Sequence, residues 1–288
     1  MTVLVSRVVN WIDLYTCRID CESTNYSSIE YLTKQHDPDY YTKNRVYKSV
    51  LGVNRLNAGV LDHLDVEHLA REWESAAPEK ILRGATRRIP HMALACSFGA
   101  EDMVLVDMLQ KIAPNVVIFY LDTDVLFAET HELRDRVLKR YGLHGLRRVS
   151  PQLTLSRQAE QYGEELWKHD PNQCCAIRKV EPLTRVLAEF DGWITGIRRN
   201  QAPTRARTQV IEMDHKFGLI KVNPLALWTE SQIWGYIHAH EVPYNPLHDQ
   251  GYPSIGCLHC TRSVRPGEDA RAGRWSGSDK TECGLHSK

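Results

Sequence analysis

Two short, almost wholly apolar runs do most to fix what this chain can fold into. They are Met92-Ala93-Leu94-Ala95-Cys96 and Val116-Val117-Ile118-Phe119-Tyr120-Leu121, and a helix-patterned stretch from Glu101 to Ile112 lies between them. A strand with one wet face alternates in polarity, so a strand that is apolar throughout is covered on both faces. Strands joined by a helical crossover run parallel. The alternation continues with a helix from Glu129 to Tyr141, a strand from Leu146 to Val149, a helix from Leu153 to Trp167, a helix from Val186 to Phe190 and a buried strand Trp193-Ile194-Thr195-Gly196. Gln209 to Met213 and Leu219 to Val222 are predicted to pair as a hairpin at the sheet edge, and Thr229-Glu230-Ser231-Gln232 opens a helix with a capping box. Upstream, Asp65 is the predicted N-cap of one helix, and Pro78 suits the first turn of the next. The expected fold is α/β: a doubly wound, mostly parallel sheet with helices on both faces.

Domain organisation follows from where these patterns stop. Residues 1 to 55 show no sustained period and are rich in Tyr, Asn, Ser and Asp, so they read as an extension without ordered structure. Residues 56 to 264 carry the α/β pattern. Residues 265 to 288 are rich in Gly, Ser and charge and are expected to form a mobile tail. Met1 to Tyr15 is fairly apolar, but Arg7 and Asp13 interrupt it before the ~18 apolar residues of a membrane helix, and no small-residue cleavage site follows. A cytoplasmic protein with no membrane partner is expected. The 36 Lys and Arg balance 36 Asp and Glu, which excludes a polyanion-coating role and any nucleic-acid partner that depends on a large basic excess. Any anion site must therefore be local.

Ligands of open parallel sheets bind at the carboxyl ends of strands, near a topological switch. Ser97-Phe98-Gly99-Ala100 sits at such an end ahead of a helix, where backbone N–H groups, the Ser97 hydroxyl and a close approach at Gly99 would receive a phosphate. Asp122-Thr123-Asp124 ends the next strand and suits either a ribose or helix capping. Arg198, Arg199, Arg205 and Arg207 lie on the loop after the Trp193 strand, with no acid among them, and read as an anion receptor at one strand edge.

In a reducing compartment thiols serve as metal ligands or nucleophiles more often than as disulfides. Cys174-Cys175 and Cys257-Leu258-His259-Cys260 together offer four thiolates, which suits zinc or an iron–sulfur cluster. The vicinal pair departs from zinc-knuckle spacing. Adjacent helical residues diverge by about 100°, which favours separate corners of a 4Fe-4S cube. Lys179 lies about one turn beyond this pair, where an ammonium could offset cluster charge and hold an anion. Near the chain end, Cys283 in Lys280-Thr281-Glu282-Cys283-Gly284-Leu285-His286 is a candidate nucleophile. Cys17, Cys21 and Cys96 carry no assigned role.

Taken together, Ser97 to Asp102, Leu121-Asp122-Thr123, Cys174-Cys175 with Arg178 to Leu183, Thr195 to Arg205, Tyr252 to Cys260, Gly267 to Trp275 and Lys280 to His286 closely resemble the assimilatory adenosine 5'-phosphosulfate (APS) reductases. The resemblance spans about residues 60 to 288, and residues 1 to 55 have no counterpart in it. It implies a fold of the adenine nucleotide alpha hydrolase type, related to ATP pyrophosphatases. It also implies a 4Fe-4S cluster on Cys174, Cys175, Cys257 and Cys260, which does not change redox state during turnover. Ser97, Phe98, Gly99 and Leu121 would bind the nucleotide, and Arg205 and Arg271 the phosphosulfate or ribose. Lys179 would stand between cluster and substrate, His286 would steer the sulfate, and the Cys283 thiolate would attack it. The implied partners are APS and a separate thioredoxin or glutaredoxin-like reductant, with a homo-oligomer left open. The related 3'-phospho-APS (PAPS) reductases share the tail but lack the paired cysteines. Three rivals are a PAPS reductase, an ATP-dependent thiolation enzyme and a non-catalytic iron–sulfur redox sensor. The thiolation enzyme is disfavoured by the missing Ser-Gly-Gly-x-Asp-Ser loop.

Overall fold

The computed structural model describes residues 61–143 and 146–286. Contacts divide the chain after Arg55, and every described residue belongs to the unit Leu56–Lys288. The expected extension over residues 1 to 55 lies outside the described residues.

Helix α1 (His63–Trp73) begins one turn earlier than the sequence suggests. Asp62 accepts the Asp65 N–H at 2.8 Å while Asp65 accepts the Asp62 N–H at 3.1 Å, so Asp62 is the N-cap and Asp65 the third residue of a reciprocal capping box. Helix α2 (Pro78–Arg88) starts on its proline, as expected, and leads into β1 (Met92–Ala95), α3 (Ala100–Ile112), β2 (Val117–Leu121), α4 (Ala128–Tyr141) and β3 (Arg147–Val149). The predicted helix from Leu153 to Trp167 is two pieces, α5 (Leu155–Tyr162) and α6 (Leu166–His169). Gly163 (φ +87°) ends the first, and Glu165 (φ +53°) precedes the second.

The predicted helix from Val186 to Phe190 also differs. A helical path runs from α7 (Pro171–Cys175) through a π-helical stretch, Ala176–Val180, into α8 (Glu181–Leu187). The cause is Pro182, which has no N–H for the carbonyl four residues back and whose ring would clash with it. The π stretch widens the turn, and the Glu181 N–H reaches the Ala176 carbonyl. Strands β4 (Gly192–Ile194), β5 (Ile211–Asp214) and β6 (Leu219–Val222), then α9 (Glu230–Ala239) capped by Thr229 and Gln232, complete the domain.

The sheet order is β3-β2-β1-β4-β6-β5, parallel throughout except for β5 against β6. Of the two hairpin strands, β5 is at an edge of the sheet and β6 lies inside, next to β4. Side chains alternate between two cores: Met92, Leu94, Ile118 and Tyr120 meet residues of α1, α2, α3 and α9, whereas Ala93, Phe119 and Trp193 meet Leu183, Val186 and Leu187 of α8. Helices thus cover both faces. From β1 the chain winds outward to β3, then returns to place β4 on the other side of β1, which puts the topological switch between β1 and β4.

Candidate active site

A cleft of about 440 Å³ opens at the carboxyl ends of β1 and β4, within the size range of small-ligand sites. Ser97, Phe98, Gly99 and Leu121 line its floor, and Lys179, Arg205, Arg271, Cys283 and His286 line its walls. All the residues expected to bind substrate, and the expected nucleophile, therefore share one cavity.

The turn after β1 is organised differently from its sequence reading. Its left-handed residue is Phe98 (φ +62°), while Gly99 is extended and caps α3. The buried Phe98 ring holds that conformation by packing edge-on against Tyr120 at 5.4 Å. The Ser97 hydroxyl and N–H both donate to Asp102 Oδ2 at 2.6 Å, and the Gly196 N–H also hydrogen-bonds this carboxylate. The hydroxyl proton is thus turned toward Asp102, and the oxygen accepts the Gly99 N–H at 3.4 Å at the start of α3. Gly196 is required at the end of β4, because a Cβ there would run into Asp102 Oδ1 and approach the Glu101 Cβ to 2.9 Å.

Burial raises the Asp102 pKa to about 6, and Ser97 and Gly196 only partly oppose it. A carboxyl raised above its unfolded value of 3.8 binds its proton more tightly when folded. Its contribution is thus fully favourable below pH ~4 and is lost as pH rises through ~6, a swing of about 3 kcal/mol. Asp102→Asn, which does not titrate, is expected to flatten that part of the stability–pH curve. Denaturant midpoints of the two proteins at pH 4 to 7 check this, and parallel curves would refute it.

The Asp122-Thr123-Asp124 segment divides: the two aspartates are taken up by the protein, whereas Thr123 lines the cleft. Asp122 is buried against Arg148 at 2.7 Å, and Asp124 accepts from Arg178 at 2.8 Å. The arginine loop also divides. Arg198 reaches the cleft but pairs with Glu101 at 2.8 Å. Arg199 is taken up by both carboxylate oxygens of Glu74 and by the Thr208 carbonyl, and Arg207 is exposed and not among the cleft residues. The expectation of four arginines at one anion site thus holds only for Arg198 and Arg205.

The missing cation is Arg274, which was not singled out in the sequence. It lines the cleft, lies 4.5 Å over the Trp275 ring, and donates to Ser254 Oγ and the Ile255 carbonyl, while its buried Nε has no partner among the described residues. Gly256 makes its path, because a Cβ there would collide with the guanidinium. An arginine three residues after Arg271 and beside a tryptophan was the available signal.

Residues 265–286 belong to the same unit, and the tail is docked. Lys280 donates to Asn172 at 2.6 Å, Arg271 donates to the Thr281 carbonyl at 2.9 Å, and Lys216 donates to the Gly284 carbonyl. Glu282 pairs with Arg205 and Arg271, and Leu285 packs on the Trp193 side of the sheet. The His286 ring stacks on Trp193 at 5.5 Å; burial first, then Lys221, Arg205, Arg271 and Lys216, hold its pKa well below the ordinary histidine value. It is therefore neutral at pH 7, with a buried Nδ1 that has no partner among the described residues.

Cys174, Cys175, Cys257 and Cys260 line a neighbouring cavity that shares Lys179 and Trp275 with the cleft. Among the described residues no three Cys, His, Asp or Glu groups converge on a single ion position, although the four thiols line one cavity. Burial, then mutual repulsion, pushes Cys174 up to about 12 and Cys260 up to about 11. Arg178, 1% exposed, lines the same cavity, gives Nε to Gln158 and Nη1 to Asp124, and leaves a buried Nη2 with no partner among the described residues. An orphaned cationic donor beside four thiols fits an anionic iron–sulfur group. For Lys179, burial opposes the charge, but Cys257, Cys283 and Cys175 outweigh it and raise the pKa.

A family model described as the phosphoadenosine phosphosulfate reductase domain matches residues 91–263. The chain belongs to that family. A member named adenosine 5'-phosphosulfate reductase, from Shouchella clausii, is 50% identical over 227 residues, which is 78% of this chain and 94% of the relative. Another, from Gloeobacter violaceus and named phosphoadenosine 5'-phosphosulfate reductase, is 50% identical over 229 residues, 78% of this chain and 95% of its own. The crystal structure of the phosphoadenylyl-sulfate reductase of Candida auris is similar at a TM-score of 0.63 and 32% identity, covering 71% of this chain and 98% of that one. Reductase-family membership thus accounts for the doubly wound fold. No described helix is long and apolar enough to cross a membrane.

Proposed function

We propose that the chain reduces APS to sulfite and AMP, as a cytoplasmic enzyme of assimilatory sulfate reduction and cysteine biosynthesis that draws electrons from a thioredoxin or glutaredoxin-like protein. The observation that carries the reading is Cys283 in the wall of a cleft whose floor is the Ser97–Gly99 turn and whose other walls include Lys179, Arg271 and Arg274. Several relatives of about 50% identity bear the APS reductase name.

In this reading the Cys283 thiolate attacks the sulfonyl sulfur of APS, forming an S–S bond. The bond from sulfur to the bridging oxygen breaks, and its electron pair leaves on AMP. The attacked sulfur is ringed by anionic oxygens, so the step needs fixed cations in a cleft shielded from water. Lys179 and Arg274 are suited to that role. Neutral His286 can donate an N–H without adding to the crowd of cations. A reductant thiolate then attacks Cys283 Sγ, sulfite departs with the electrons of the S–S bond, and a mixed disulfide remains. The second reductant thiol resolves it, so two thiols are oxidised as sulfate sulfur becomes sulfite sulfur. Cys174, Cys175, Cys257 and Cys260 would hold a 4Fe-4S cluster, which when bound supplies a fixed negative charge beside Lys179.

A second reading, PAPS as substrate, is favoured by the Gloeobacter relative's name. The four cysteines argue against it, because the PAPS reductases lack the paired set. Anaerobic assay of the iron-loaded protein with each sulfonucleotide and thioredoxin tests both. We expect kcat/KM at least ~100-fold higher for APS; a preference for PAPS reverses the assignment, and no sulfite from either removes it.

A further inference from the structure

One residue before the proposed nucleophile the tail carries an ionisable group, Glu282, that does not itself line the cleft but pairs with two arginines that do. Glu282 Oε1 accepts from Arg205 Nε at 2.9 Å and from Thr204 Oγ1 at 3.2 Å. Its Oε2 accepts from Arg205 Nη2 at 2.8 Å and from Arg271 Nη2 at 3.2 Å. The side chains of Glu282, Arg205 and Arg271 are 17%, 12% and 16% exposed, so this is a desolvated fork rather than one of the weak ion pairs of open surfaces.

The Nε–Nη2 edge of Arg205 has the spacing that receives two oxygens of a carboxylate, phosphate or sulfate. The protein's own carboxylate fills it. The remaining nitrogen, Nη1, donates to Gln201 Oε1 at 2.6 Å. Arg205 therefore cannot offer that edge to a phosphosulfate while Glu282 holds it, and a dianion beside an ionised Glu282 is repelled.

We propose that Glu282 is a positioning residue that competes with the substrate's anionic group for the Arg205–Arg271 pair, coupling tail docking to substrate binding. The proposal rests on the function proposed above. Substrate that takes the guanidinium edge frees Glu282, and the neighbouring Cys283 gains the freedom to approach the sulfur. Leu285 and His286 meanwhile keep the end of the tail against the sheet through contacts that involve no carboxylate. Departure of the anionic products returns the edge to Glu282 and resets the tail.

The test compares the iron-loaded parent with Glu282→Gln, which keeps size but removes the charge and one of the two accepting oxygens, and with Glu282→Asp. The rate of Cys283 alkylation by iodoacetamide, followed by peptide mass spectrometry, reports tail docking without turnover. APS affinity is read by titration in a Cys283→Ser background, and kcat and KM in the active proteins. Glu282→Gln is expected to raise alkylation about tenfold, tighten APS binding about fivefold and lower kcat, with Glu282→Asp falling between. A merely structural role would weaken binding and kcat together. Unchanged alkylation or weaker APS binding in Glu282→Gln overturns the competition alone, provided the parent forms sulfite. A parent that forms no sulfite from APS or PAPS overturns the functional reading, and the competition with it.

Discussion

Replacing Cys283 by serine is expected to lower sulfite formation from APS by at least ~1000-fold while leaving iron content unchanged and APS affinity within about threefold. The oxygen substitution is nearly isosteric, so the contacts of Glu282, Gly284 and His286 that dock the tail persist. What is lost is the nucleophile. A serine hydroxyl is far less acidic than a thiol, and an alkyl sulfate ester would not release sulfite to a second thiol. The split between binding and turnover is the diagnostic, because a group that acts only in the transition state lowers kcat without changing affinity. Residual turnover above a few per cent would sink the nucleophile assignment, and the structure would then have docked a terminal thiol for some other purpose.

Cys257→Ser is expected to have a comparably large effect by another route. Cys257 is 8% exposed, and its sulfur lies 3.4 Å from Thr123 Oγ1. A serine there is a poor ligand for iron and leaves the remaining three thiols without the fourth. Iron per chain should fall by at least half, with the visible absorbance, and kcat should fall at least ~100-fold. Iron analysis and steady-state rates measured on one preparation check both. Full iron retention would mean that the four cysteines do not hold a cluster as a set.

The strands were legible because runs too short for a helix and apolar throughout fit only between two covered faces of a sheet, as Met92 to Ala95 and Val117 to Leu121 show. The cleft was legible because strand ends at a topological switch are fixed by the same pattern. Pairing was not legible. Arg199 finds Glu74, 125 residues away, and nothing in a basic loop says which of its side chains will meet a carboxylate from elsewhere. Arg274 escaped notice for the converse reason: its place depends on the room left by Gly256 and on the Trp275 ring, both tertiary features. Nothing in the sequence sets Asp102 apart from any other acid in a helix's first turn, although it joins the ends of β1 and β4 through Ser97 and Gly196.

The π-helical stretch at Ala176–Val180 bears on how the chain tolerates insertions and deletions. Such a stretch is an α-helix carrying one surplus residue, and α8 beyond it is anchored in the core by Leu183, Val186 and Leu187. Deleting one residue between Cys175 and Pro182 would remove that surplus and set the Pro182 ring against the carbonyl four residues back, the clash that the wide turn avoids. The helix would have to break or shift there, and Cys174 and Cys175, on its upstream side, would move relative to Cys257 and Cys260 although no cysteine had been changed.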